Sequence, residues 1–110
     1  MSLSSNRAVQ MLNAAAAGRY GVLGVVAYNM EAVVACIQAA EKKRSPLQIL
    51  LFPWALKYST ILVDFVAAAA RKATVPITVH LDHAQDAEVI KRAANLKACL
   101  LYTSPSPRDS

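Results

Sequence analysis

The sequence predicts an α/β fold built on a parallel sheet. Short runs of strand length alternate with longer segments of helical period, and those runs are apolar throughout. Strands covered on both faces have that composition, and strict alternation is typical of right-handed βαβ units. The chain has 110 residues, whereas a closed eight-unit barrel takes about 250. We therefore expect an incomplete structure, whose third strand would leave an exposed apolar edge.

The predicted elements are one helix followed by three strand–helix pairs. Each helix begins near a capping side chain, and each strand is bounded by Gly, Pro or aromatic residues. Ser4, Ser5 and Asn6 are the candidate caps of the first helix, and Gly18 is its stop. The elements are a helix over 7–17, a strand within 20–28, a helix from Asn29 to the basic residues 42–44, a strand over 47–52, a helix from 59 or 60 to 72, a strand opened by Pro76 and a helix from Ala87.

Apolar residues at helical spacing predict the buried side of each helix. They are Val9, Leu12 and Ala16, then Val33, Val34, Ile37 and Ala40, then Ile61, Leu62, Phe65, Val66 and Ala69, and finally Val89, Ile90, Ala93 and Ala94. Cys36 and Cys99 have no CxxC spacing and give no disulfide framework, so Cys36 is interpreted as a small core side chain.

Composition argues against several classes of protein. A hydrophobic content of 55% is typical of globular chains. No apolar run approaches the roughly 18 residues of a membrane span, so we expect a soluble, cytoplasmic protein without a membrane partner. The net charge is +5, but the basic residues form no stripe with aromatic residues, so no nucleic-acid partner is expected. The first thirty residues lack acids and weakly resemble a transit peptide; an ordinary first helix is the preferred interpretation.

Groups suited to catalysis gather at the end of the third strand. Alternation puts residues 77, 79 and 81 on an apolar face and Thr78, His80 and Asp82 on the other. His83 follows in the turn, and Asp86 can cap the next helix. An imidazole can bind a divalent metal, and a neighbouring carboxylate can move a proton. Strand carboxyl ends are where α/β enzymes place such groups, although the spacing equally fits two solvated histidines and a capping aspartate.

Six segments together resemble one enzyme family over about residues 7–96. They are Arg19-Tyr20-Gly21-Val22, Tyr28-Asn29-Met30-Glu31-Ala32, Ala39-Ala40-Glu41, Ser45-Pro46-Leu47, Val75-Pro76-Ile77 and His80-Leu81-Asp82-His83. They resemble the amino-terminal part of class II, metal-dependent fructose-bisphosphate aldolases, most closely a branch found in fungi. The resemblance implies a parallel (β/α)8 TIM barrel, with only its first three βα units present, in a longer parent protein. It also implies that the first helix lies across the bottom of the barrel.

The same resemblance implies a lyase. Such enzymes cleave fructose 1,6-bisphosphate to dihydroxyacetone phosphate and glyceraldehyde 3-phosphate, and run the reverse condensation. By this likeness Asp82 is the acid/base acting on the C4 hydroxyl, and His83 is one ligand of a Zn²⁺ ion whose other ligands lie downstream. His80 is expected to pack or hydrogen-bond inside the barrel. A sugar-phosphate substrate and a homo-oligomeric parent, a dimer, are also implied.

Two positions depart from the family pattern. Val26 and Phe52 stand where members often have an Asn and a Ser near the substrate, in the turns after the first and second strands. This departure puts the usual bisphosphate substrate in doubt. The Phe52-Pro53-Trp54 segment would instead narrow the open end of the barrel.

The carboxyl-terminal segment 97–110 is predicted to be irregular and separate from the domain over 1–96. It has neither helical nor strand period and contains Ser-Pro-Ser-Pro. It resembles the tails that arise where a reading frame enters adapter sequence and is expected to be non-native; an ordinary disordered terminus is the alternative. The alternative to an enzyme is an inactive truncated fragment or a βα interaction module, because a zinc site takes roughly three or four protein ligands.

Overall fold

The computed structural model describes residues 6–54, 60–83, 87–94 and 101–103. Its helices are α1 (Arg7–Gly18), α2 (Met30–Lys42), α3 (Ile61–Lys72) and α4 (Ala87–Ala94), and its strands are β1 (Leu23–Val26), β2 (Leu47–Leu51), β3 (Ile77–Leu81) and β4 (Leu101–Thr103). The predicted order of a helix and three strand–helix pairs is confirmed. The predicted cap Asp86, Cys99, and the side chains of Val89, Ala93 and Ala94 lie outside what the structure describes.

The four strands form one parallel sheet in the order β1-β2-β3-β4. Leu47 of β2 lies opposite Leu23 on one side and Ile77 on the other. Each strand therefore pairs with the next one along the chain, without a change of direction in strand order. Barrels are built in that way, whereas doubly wound sheets reverse their order at a switch point.

The prediction of an irregular segment over 97–110 is wrong at β4. Val79, His80 and Leu81 pair in parallel with residues 101–103, so the third strand is not the unpaired edge that we expected. Leucine, tyrosine and threonine suit a strand, but three residues are too few to show a period. Residues 97–100 and 104–110 lie outside the described part of the chain, and the non-native origin of the segment stays a prediction.

The core lies between the sheet and the pair of helices α2 and α3. Its fully buried side chains include Val33 of α2, Ile49 of β2, Val66 of α3 and Val79 of β3. Cys36 is half-buried against this cluster. On the opposite face of β3, the Thr78 hydroxyl lies 3.9 Å from the sulfur of Met11 in α1. Strand β3 is therefore covered on both faces and buried at every residue, whereas Leu23 and Gly24 of β1 are exposed.

The predicted buried sides of all four helices need correction. On α4 the predicted buried residue Ile90 is 40% exposed. The buried residues of α1 are Ala8, Met11 and Ala15, and Leu12 is 41% exposed. Small apolar residues occur all round this helix, so its period does not distinguish the two sides. Val34 is exposed on α2, and Ile61 is 70% exposed because the buried side of α3 is Val63, Val66, Ala67 and Ala70.

Asparagines begin the first two helices. The side-chain oxygen of Asn6 accepts from the backbone N–H of Ala8 at 2.9 Å, and that of Asn29 accepts from Ala32 at 2.8 Å. These caps satisfy N–H groups that a helix start leaves open. Helix α1 ends at the predicted stop, Gly18. The residue that follows, Arg19, is its C-cap and has a left-handed backbone with φ of 59°. None of the helices in the described ranges is long and apolar enough to cross a membrane.

The amino end of the sheet is held together by polar contacts. A carboxylate oxygen of Glu41, near the end of α2, accepts from the Thr74 backbone N–H at 2.9 Å and from the Thr74 hydroxyl at 3.1 Å. Arg44 donates to the same hydroxyl at 3.2 Å. These bonds tie α2 to the loop before β3, so the charged groups at this end have a structural role.

Replacing Ile49 by Ala should destabilise the protein by about 2–5 kcal/mol, because it removes a fully buried side chain and leaves a cavity. Ile61→Ala is the matched control, since that side chain is 70% exposed and should change the free energy of unfolding by about 0.5 kcal/mol or less. Urea unfolding followed by circular dichroism measures both. Equal losses in the two variants would contradict the assigned core.

Candidate functional site

The candidate site lies at the carboxyl end of β3. The backbone N–H of Asp82 donates to the Leu51 carbonyl of β2 at 2.8 Å, so the parallel ladder continues one residue beyond β3. Because strand side chains alternate, this bond sets the Asp82 carboxylate on the same side as His80. The next residue, His83, is in the turn.

The Asp82 carboxylate lies between two imidazoles. Its Oδ1 is 3.8 Å from His80 Nε2, and its Oδ2 is 3.6 Å from His83 Nε2. Both distances exceed a hydrogen bond, and either pair becomes an ion pair only when its imidazole is protonated. Exposure rises along the series, from 8% for the His80 side chain to 23% for Asp82 and 55% for His83. The carboxylate therefore stands at the boundary between the core and solvent.

The backbone of His83 is in the left-handed region, with φ of 56°. Its N–H donates to Asp82 Oδ1 at 3.1 Å. Left-handed backbone costs a residue with a Cβ about 1–2 kcal/mol, and histidine adopts it more readily than most side chains do. Such strained positions cluster at functional sites. The turn thus holds the imidazole and the carboxylate together at some conformational cost.

His80 lies inside the fold, as expected. Burial lowers its pKa below the ordinary value of 6.5, and the Asp82 charge opposes that shift in part. The imidazole is therefore neutral at neutral pH. The face of β3 predicted to be chemical is buried at Thr78 and His80, and among the described residues of this face it becomes accessible at Asp82. The polar face is therefore covered along β3 and opens to solvent at the carboxyl end of the strand.

Four aromatic rings lie side by side at the carboxyl ends of β1, β2 and β3; they are termed the aromatic row. Phe52 meets His83 edge-to-face at 5.3 Å and Tyr28 edge-to-face at 6.0 Å, and Tyr28 stacks on Trp54 at 5.7 Å with 12° between the planes. Phe52 and Trp54 were expected to narrow this end. Sequence reasoning missed Tyr28, although its place two residues after β1 was a usable signal.

Val26 occupies a different place from the one predicted. It is the last residue of β1 and lies opposite Leu50, so it belongs to the strand and not to the turn that follows. The adjacent Ala27 N–H donates to the Leu50 carbonyl at 3.3 Å and extends the ladder. The turn after β1 therefore brings Tyr28, not Val26, to the open end.

The described residues contain part of a possible metal site. No group of three His, Cys, Asp or Glu side chains within them is placed to hold a metal ion. His83 is accessible, and a carboxylate lies 3.6 Å from its Nε2. The described side chains therefore fit one ligand of a zinc site, His83, and do not form a complete zinc site.

Parallel strands in sequential order and helices on both faces of the sheet define a class of protein, the βα barrels. Residues 6–105 match the family model "Fructose-bisphosphate aldolase class-II". The chain belongs to this family, as the six sequence segments indicated.

Individual relatives agree with that assignment. A candidate fructose-bisphosphate aldolase of Coccidioides immitis is 54% identical over 96 residues, covering 86% of this chain and 32% of that protein. The fructose-bisphosphate aldolase of Thermus caldophilus is 38% identical over 86 residues, covering 77% of this chain and 28% of that protein. The chain thus spans about a third of the length of the curated relatives that it matches.

Solved structures confirm the predicted fold, the first βα units of an aldolase TIM barrel. A crystal structure of the Coccidioides immitis protein superposes with a TM-score of 0.83 at 52% identity, covering 87% of this chain and 34% of that one. The YdjI aldolase of Escherichia coli K12 gives a TM-score of 0.68 at 28% identity, covering 76% of this chain and 33% of that one.

Acidification should destabilise the protein through His80. The folded pKa lies below the unfolded value of 6.5, so between the two values the unfolded chain binds more protons and the free energy of unfolding falls as pH decreases. Urea unfolding at several pH values from 7.5 downward measures this loss. His80→Gln, which cannot titrate, should show a smaller loss over the same window; an identical pH profile in both proteins would contradict the assigned burial.

Proposed function

We propose that the protein to which this chain belongs is a zinc-dependent aldehyde-lyase that cleaves a ketose bisphosphate to dihydroxyacetone phosphate and an aldehyde. Family membership supports the aldolase reaction. The observation that carries the assignment to residues is the Asp82 carboxylate, held at the strand end 3.6 Å from an accessible imidazole. We propose Asp82 as the acid/base and His83 as one zinc ligand, in a homodimeric, cytoplasmic parent that uses a sugar-phosphate substrate.

Asp82 would move one proton in each direction of the reaction. During cleavage its carboxylate accepts the proton of the C4 hydroxyl while the C3–C4 bond breaks, and the aldehyde leaves. The electron pair of that bond remains on the other half as an enediolate, which becomes dihydroxyacetone phosphate when C3 takes a proton from water. In the condensation Asp82 returns its proton to the new C4 oxygen. One carboxylate thus serves as base and then as acid.

The two histidines would have different roles. His83 would contribute a neutral imidazole to the Zn²⁺ ion, which as a Lewis acid stabilises the negative charge of the enediolate. His80 is neutral because it is buried, so it places no positive charge 3.8 Å from Asp82. A cation at that distance would oppose protonation of the carboxylate. The neutral His80 therefore adds no positive charge beside the proposed acid/base.

The second candidate is an inactive fragment or a βα interaction module without metal chemistry. One observation favours this second candidate for the 110-residue chain. Within the described residues no three His, Cys, Asp or Glu side chains are placed to hold a metal ion. This interpretation differs from the first in a measurable way. A module without metal chemistry would show no zinc-dependent turnover in the full-length protein.

Asp82→Asn in the full-length protein should lower kcat by about 10²–10⁴ while leaving the zinc content unchanged, because it removes a proton acceptor and keeps the side-chain shape. His83→Ala should lower the zinc content as well as the rate. Steady-state kinetics and elemental analysis measure both quantities. Asp64→Asn is the control, since this exposed carboxylate lies in the first turn of α3, and it should leave both unchanged. Full turnover in Asp82→Asn would end the assignment of the acid/base.

Removing the metal should abolish cleavage. Dialysis of the full-length protein against a chelator should reduce turnover to background, and added Zn²⁺ should restore it, because the proposed reaction relies on a Lewis acid. Borohydride with a ketose phosphate should trap no covalent adduct. An adduct on a lysine, or turnover that survives chelation, would indicate Schiff-base chemistry instead.

A further inference from the structure

We propose that Phe52 is a positioning residue for His83. Its ring holds the imidazole in one orientation before Zn²⁺ binds, so part of the zinc affinity of the full-length protein depends on an aromatic ring at residue 52. This inference rests on the proposed function, because it concerns the metal ligand of the same site. It gives a role to a side chain that the proposed reaction does not use.

The His83 imidazole extends from the fold on a short turn. The backbone of this residue is held by the bond from its N–H to Asp82 Oδ1 at 3.1 Å, but its side chain is 55% exposed. An exposed imidazole samples several rotamers, and fixing it costs conformational entropy. A metal ligand binds its ion more tightly when neighbouring groups have already oriented it. A contact that restricts the ring therefore raises the affinity for the ion.

Phe52 makes such a contact. Its ring lies 5.3 Å from the His83 ring, centroid to centroid, with 84° between the two planes. Edge-to-face pairs at this separation are attractive beyond the apolar area that they bury, and they are specific in geometry. The phenyl ring thus favours one orientation of the imidazole over the others.

Phe52 is itself held in place. It follows Leu51, whose carbonyl accepts from the Asp82 N–H at 2.8 Å, so the pairing of β2 and β3 brings residue 52 next to the turn that carries His83. On the other side its ring meets Tyr28 edge-to-face at 6.0 Å. Phe52 is half-buried, whereas Tyr28 is 54% exposed. A side chain packed in this way can support a more mobile neighbour.

The first measurement is the zinc dissociation constant of the full-length protein, obtained by competition with a chromogenic chelator. Phe52→Leu keeps an apolar side chain and removes the ring, so the zinc affinity should fall by about threefold to tenfold. Phe52→Tyr keeps the ring, and its affinity should stay within about twofold of the original protein. Circular dichroism of each zinc-free variant checks that it is folded.

The second measurement is the visible absorption spectrum of the protein loaded with Co²⁺ in place of Zn²⁺. The positions of its bands depend on the arrangement of the ligands around the ion, and a purely structural role of Phe52 would leave them unchanged. Phe52→Leu should shift the bands, and Phe52→Tyr should restore them.

Two further variants complete the experiment. Tyr28→Leu removes an exposed ring that contacts Phe52, so it loosens the support with less effect on folding and should lower the zinc affinity by about twofold. Tyr20→Leu is the matched control, because this exposed tyrosine lies between α1 and β1, at the other end of the sheet. It should leave the affinity and the spectrum unchanged.

The outcomes separate the inference from the proposed function. Weaker zinc binding and shifted bands in Phe52→Leu, both restored in Phe52→Tyr and both absent in Tyr20→Leu, support the inference. Unchanged affinity or an unchanged spectrum in Phe52→Leu overturns it and leaves the zinc-dependent lyase standing. If Phe52→Leu does not fold, Tyr28→Leu decides, and unchanged affinity in that variant overturns the inference. If the original full-length protein binds no zinc, the proposed function fails and the inference fails with it.

Discussion

The hydrogen bond from the Asp82 N–H to the Leu51 carbonyl, 2.8 Å long, is the constraint on which the site depends. It continues the pairing of β2 and β3 past the last strand residue, and so it fixes which way Asp82 faces. Side chains alternate along a strand, so a slip of one residue would move this carboxylate to the opposite face of the sheet and bring Leu81 to the face that it now occupies. The same register sets Phe52 beside His83. The hydrogen bond between Asp82 and Leu51 thus determines which side chains lie together at the carboxyl end of the sheet.

Burial gives the three polar residues at this strand end distinct properties. His80 is inside and neutral, Asp82 is partly covered, and His83 is largely accessible. The carboxylate thus lies within 4 Å of both imidazoles while it can still be reached from outside. The left-handed turn at His83 adds a further constraint, since its N–H bonds to Asp82. The geometry therefore suits proton transfer better than a fully buried or a fully solvated carboxylate would.

Local patterns predicted the elements well because the strands and caps carry strong signals. Apolar runs located β1, β2 and β3, and asparagines located the starts of two helices. The same patterns failed in two situations. Apolar residues on more than one side of a helix gave the wrong buried side for α1 and for Ile61, and three residues were too few to predict strand β4. Contacts between distant residues, such as Tyr28 with Trp54, follow from the assembled sheet and have no local signature. The roles of Asp82 and His83 remain predictions derived from the family resemblance.

The stacking of Tyr28 on Trp54 has an optical consequence. Trp54 is the sole tryptophan of the chain, and a tyrosine 5.7 Å away passes its excitation to an indole efficiently. Light absorbed by Tyr28 therefore leaves as emission from Trp54, whose colour depends on the polarity around it. The carboxyl end of the sheet accordingly carries an intrinsic fluorophore pair, and a molecule that displaces water there changes the spectrum without any added label.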